Sequence, residues 1–89
     1  MMYEVTDGFI EKRTPFRDAH LALVRAAHAR GELVLAGALG NPAGALFVFL
    51  AENDDIVDVF ARSDPYVVHG LVRQWTIRPW AVMVGGDPT

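Results

Sequence analysis

Two stretches of this chain, Leu33-Val34-Leu35-Ala36 and Ala45-Leu46-Phe47-Val48-Phe49-Leu50, are apolar at consecutive positions instead of at alternate ones. Successive side chains of a strand point to opposite faces of a sheet. Strands of this composition therefore need cover on both sides. The chain has 89 residues, the size of one small domain, and its helical patterns suffice for one face only. The expected cover for the other face is the same sheet from a second copy, making a homodimer. Composition agrees: 52% of residues are hydrophobic and 21% charged, while a chain this short buries only about 60–65% of its unfolded surface alone.

The remaining elements read off in order. Tyr3 to Thr6 suits a short first strand, ended by Asp7-Gly8. Thr14-Pro15 reads as an N-cap followed by proline at the first helical position, opening a helix from Phe16 to Arg30 that stops at Gly31. Its inward face is Phe16, Ala19, His20, Leu23, Val24 and Ala27. Strands follow over Leu33 to Leu39 and Ala45 to Leu50, joined by the turn Gly40-Asn41-Pro42-Ala43-Gly44. Asn53 or Asp54 caps a second helix to about Arg62, with Ile56, Val59 and Phe60 inward. Asp64-Pro65 restarts the helix for one turn, closed by Gly70. A last strand is expected over Leu71 to Val84, with its apolar phase switching at Arg78-Pro79, as a β-bulge on an edge strand would require. The order β-α-β-β-α-β is the ferredoxin-like pattern, an α+β fold with a four-stranded antiparallel sheet. We expect one domain over residues 1–84 and a loose tail over 85–89.

Eight Lys and Arg against eleven Asp and Glu leave a net charge of −3, which disfavours nucleic acid as a partner. The absence of cysteine removes disulfides and thiolate metal sites. The acidic start Met1-Met2-Tyr3-Glu4 lacks the apolar core of a secretory signal. The longest apolar runs fall far short of the roughly 20 residues that span a bilayer. These features lead us to expect a cytoplasmic protein without a membrane partner. Three scattered histidines give no metal-ligand spacing, so neither metal nor cofactor is expected.

His20 is the leading candidate for chemistry, because imidazole exchanges protons near neutrality and the helical pattern aims it at the sheet. The same position also suits a core histidine bonded to a backbone carbonyl. Asp64 is the second candidate, although Asp before Pro is an ordinary helix cap. Both roles are compatible: one carboxylate oxygen can cap Tyr66 or Val67 while the other reaches His20, as the acid of a triad does. Arg17, one turn before His20, is placed to hold an anion, or else is a solvated surface arginine. Trp75, Trp80 and Tyr66 read as barrel packing.

Arg17-Asp18-Ala19-His20-Leu21, Leu35-Ala36-Gly37, Asp64-Pro65-Tyr66-Val67, Gly70-Leu71-Val72 and Ile77-Arg78-Pro79-Trp80 occur in this order. In combination they resemble the YciI-like family, also called the YCII-related domain, over nearly the whole chain from Arg13 to Val84. The resemblance implies a ferredoxin-like protomer paired into a dimeric α+β barrel, with His20 and Asp64 lining a cleft. Arg17, Tyr66 and Gly37 are the expected substrate contacts. The family's known catalytic example is a dehydrochlorinase, and related barrels include muconolactone isomerases. The implied activity is a cofactor-independent lyase or isomerase acting on a small, cyclic or aromatic, acidic molecule. The alternative is a non-catalytic binding or oligomerisation module. Where many members read Ala-Gly-Pro, this chain has Ala36-Gly37-Ala38.

Overall fold

In the computed structural model, which describes residues 1–40 and 43–85, two of the helices end where the sequence supplies glycine. The main helix α2 (Arg17–Ala29) stops at Gly31, whose φ of +80° only glycine adopts freely. Glu32 N–H bonds to Ala27 O and Gly31 N–H to His28 O, a Schellman closure that satisfies carbonyls the helix would otherwise orphan. Gly70 closes the short helix α4 (Pro65–Val68) in the same way, with Leu71 N–H on Tyr66 O and Gly70 N–H on Val67 O. The start of α2 differs from expectation. Thr14 makes no side-chain cap; Thr14–Phe16 instead form a 3-10 turn carrying the proline, and α2 begins after it.

Strands β1 (Met2–Val5), β2 (Leu33–Leu39), β3 (Gly44–Phe49) and β4 (Val72–Thr76) form one antiparallel sheet in the order β2-β3-β1-β4. Helices α1 (Phe9–Lys12), α2, α3 (Asp54–Ser63) and α4 complete the expected α+β, ferredoxin-like arrangement. The core lies between helices and sheet, where Tyr3, Leu33, Phe47 and Val72 meet Phe9, Ala27, Phe60, Ala61 and Tyr66. Phe47 faces this core and is buried, whereas its neighbour Leu46 stays 37% exposed on the other face. The two-sided pattern of β3 thus resolves into one covered face and one open face. In β2 a register irregularity between Leu33 and Leu35 contributes as well. Leu33 pairs with Phe49 and is buried; Leu35 pairs with Val48 and is exposed.

Three expectations change. The inward face of α3 is Val57, Phe60 and Ala61, while Ile56 and Val59 are exposed. The small Ala61 lets the helix seat one position further round than the large apolar residues suggest. The last strand ends at Thr76, ahead of Arg78-Pro79, and residues 77–84 pair with no strand among the described residues. Trp80, read as barrel packing, is 67% exposed. Alternation of apolar residues reports two faces, and it does not supply a ladder partner. Asn41 and Pro42 of the expected turn, and residues 86–89 of the expected tail, lie outside the described residues.

Candidate functional site

Asp64 sits where one helix ends and the next begins. It follows α3, and its extended backbone (φ −69°, ψ 122°) lets its own side chain cap α4. Oδ1 accepts the Tyr66 N–H at 3.0 Å, as expected for Asp before Pro. The carboxylate is completely buried and must find further donors, since a buried charge without partners is costly. It finds two. His20 Nδ1 lies 2.9 Å from Oδ1 and 3.0 Å from Oδ2, and Tyr3 donates its hydroxyl to Oδ2 at 2.9 Å. Helix α2, strand β1 and helix α4 therefore converge on one carboxylate.

The geometry selects the His20 tautomer. An ionised carboxylate only accepts, so Nδ1 carries the proton and donates it to Asp64. Nε2 is then the unprotonated nitrogen. It has no hydrogen-bond partner among the described residues, where no fully buried polar side-chain atom lacks one. Nε2 is therefore not fully buried, and the His20 side chain is 13% exposed. The ring is held flat against Tyr66, with centroids 4.0 Å apart and planes 14° apart, and Phe9 meets Tyr66 edge-on at 5.2 Å. This packing fixes the direction in which Nε2 points.

Tyr66 also has a hydroxyl with no hydrogen-bond partner among the described residues. Burial pushes its pKa up; the Arg13 and Arg17 guanidinium charges pull it down, and Asp64 pushes it up again. Arg17 is thus within electrostatic reach of the phenol, and so is Arg13, which the sequence reading did not select. Arg13 stands 5.6 Å over the Phe9 ring, and neither arginine has a carboxylate within 4 Å among the described residues. Gly37 is placed apart from this group. It lies in β2 opposite Leu46, on the open face, two strands from Tyr3. Two grooves of about 330 and 410 Å³ also lie elsewhere, between α2 and α3 and beside the β1–α1 turn.

Tyr3 is the neighbour of the His20–Asp64 pair that sequence reasoning missed. Burial raises its pKa far above the usual phenol value, and the charge and hydrogen bond of Asp64 add to the rise. Its ring packs on Phe47 at 4.6 Å. A second missed determinant is Gly44, opposite Glu4 in the ladder: a Cβ there would overlap the Tyr3 carbonyl oxygen. The remaining histidines are accounted for by local contacts. His28 Nδ1 donates to Leu33 O at 2.9 Å, and His69 stacks on Phe16 at 4.1 Å. No group of side chains among the described residues is arranged to hold a metal ion.

Residues 1–81 match the family model of the YCII-related domain. The chain belongs to that family. Among curated relatives of this YCII-domain protein are "Protein YciI" from Escherichia coli O6:H1 and from Shigella flexneri. Each is 31% identical over 81 residues, covering 80% of this chain and 83% of the relative. No solved structure matches. No helix among the described residues of this YCII-domain chain is long and apolar enough to cross a membrane.

Proposed function

We propose that this YCII-domain protein is an acid–base enzyme of the lyase or isomerase type, acting on a small cyclic or aromatic acid. The observation that carries the reading is the orientation of His20: Nδ1–H is held by a buried carboxylate and Nε2 is left free. Nε2 takes a proton from carbon beside a carbonyl, and the C–H electron pair becomes an enolate. Asp64 offsets the imidazolium charge that results, as the acid of a triad does. The Tyr66 hydroxyl is available to donate to the enolate oxygen. An isomerase then returns the proton at a second carbon; a lyase expels a β substituent with its electron pair. Arg17 and Arg13 supply the positive charge that holds an acid group at the mouth.

We further propose that the protein works as a homodimer, its partner's sheet covering the face that exposes Leu35, Leu46 and Met2. The site itself lies on the opposite, helix-covered face of the sheet and outside both grooves. The test is deuterium incorporation from D2O into unsaturated cyclic acids, muconolactone first. Wild type is expected to catalyse exchange, and His20→Asn to lose about 10²–10⁴-fold. Exchange that survives His20→Asn undiminished would refute the mechanism. Failure of wild type across the acids would favour a binding module.

A further inference from the structure

The Asp64 carboxylate accepts from three groups, the Tyr66 amide, His20 and Tyr3. Asp64 is fully buried, and its Oδ2 is shared between the Tyr3 hydroxyl at 2.9 Å and His20 Nδ1 at 3.0 Å. The two donors compete for one oxygen. A strong donor to a carboxylate draws off negative charge and weakens it as an acceptor for the other donor. The groups around the pair are few: Tyr66 stacks on His20 from α4, Arg13 and Arg17 act on the Tyr66 phenol, and Tyr3 approaches from β1.

We infer that Tyr3 is a positioning residue for the His20–Asp64 pair: its hydroxyl fixes the plane of the carboxylate and sets how strongly Asp64 accepts the His20 Nδ1 proton. In the enzyme reading, on which this consequence rests, Tyr3 holds the Asp64 carboxylate in the plane that turns Nε2 of His20 toward the substrate. Two features make the assignment more than packing. The Tyr3 ring already has its apolar partner in Phe47, so the hydroxyl is not required to fill space. Strand β1 lies between β3 and β4, and the close approach of Gly44 to the Tyr3 carbonyl fixes how near β1 sits to β3.

The test is Tyr3→Phe, which retains the ring on Phe47 and removes only the O–H. Nitrogen-15-edited NMR near pH 8, above the ordinary histidine range, reads the Nδ1–H proton of His20 directly. With Tyr3 gone as a donor, Oδ2 is free for His20; the expected result is a downfield shift of that proton and a change at the Asp64 carboxyl carbon. An unmoved Nδ1–H resonance in a folded Tyr3→Phe protein would overturn the inference. Loss of the fold in Tyr3→Phe would overturn it too, by showing that the hydroxyl holds the structure together instead of tuning the pair. The readout needs no substrate, so it stands or falls separately from the exchange assay.

Discussion

The two faces of the sheet are built from neighbouring residues of the same strands, yet they have little else in common. On the covered face, Tyr3, Phe47 and Phe49 interlock with Phe60 through rings 4.6–5.5 Å apart, and a buried carboxylate receives every donor that reaches it. On the open face, Leu35 and Met2 are 67% and 45% exposed. Apolar character is therefore no guide to which face carries chemistry. The helices decide, because only they bring a histidine, an aspartate and a phenol together over the strands. The open face is apolar at Met2, Leu35 and Leu46 and turns polar at Glu4, Gln74 and Thr76.

The sharpest way to break this comparison is to truncate one residue on each side. Phe47→Ala should cost about 3–5 kcal/mol in urea denaturation, since Phe47 is 2% exposed and touches Tyr3 and Phe60. Leu46→Ala, one residue away, should cost less than about 1 kcal/mol in a lone chain. A large effect at Leu46 with a midpoint that rises with protein concentration would show the open face covered by a copy. Gly44→Ala should cost roughly 1–3 kcal/mol by overpacking, because the new methyl meets backbone and not a pliable side chain; thermal unfolding measures it. Asp64→Asn keeps the cap on α4 but replaces the anion that Tyr3 and His20 share. A loss near the low end of about 1–3 kcal/mol is expected, read by the same denaturation.

Alkaline titration sharpens the comparison further. The Tyr3 phenol pKa is raised in the fold, so its contribution to stability is fully present below the unfolded value of about 10. Above that pH the unfolded chain loses the proton while the folded one keeps it, and stability falls. Tyr3→Phe should show a shallower alkaline decline than wild type in denaturation curves. The smallest effect belongs outside both faces: Trp80→Ser, in the segment beyond β4, should change single-chain stability by no more than about 0.5 kcal/mol.

Periodicity and capping made the pair itself legible. His20 falls on the apolar stripe of its helix, and Asp64-Pro65 announces a cap whose second oxygen is spare. Tyr3 was not legible, because a four-residue strand shows that a side chain points inward without showing what it meets. The seating of α3 turned on Ala61, too small to register beside Ile56 and Val59. The exposed run from Trp80 to Val84 alternates like a strand, but alternation within a segment does not supply a strand for it to pair with.

Asp64 joins three elements that lie 61, 44 and two residues away along the chain. One of them, β1, is flanked by strands on both sides, so no edge is exposed where the cluster could fray by itself. The Tyr66 amide that donates to Asp64 should accordingly exchange with deuterium only when the whole domain opens. That single amide would then report global stability, and the cluster of Tyr3, His20 and Asp64 would be lost with the fold in one step.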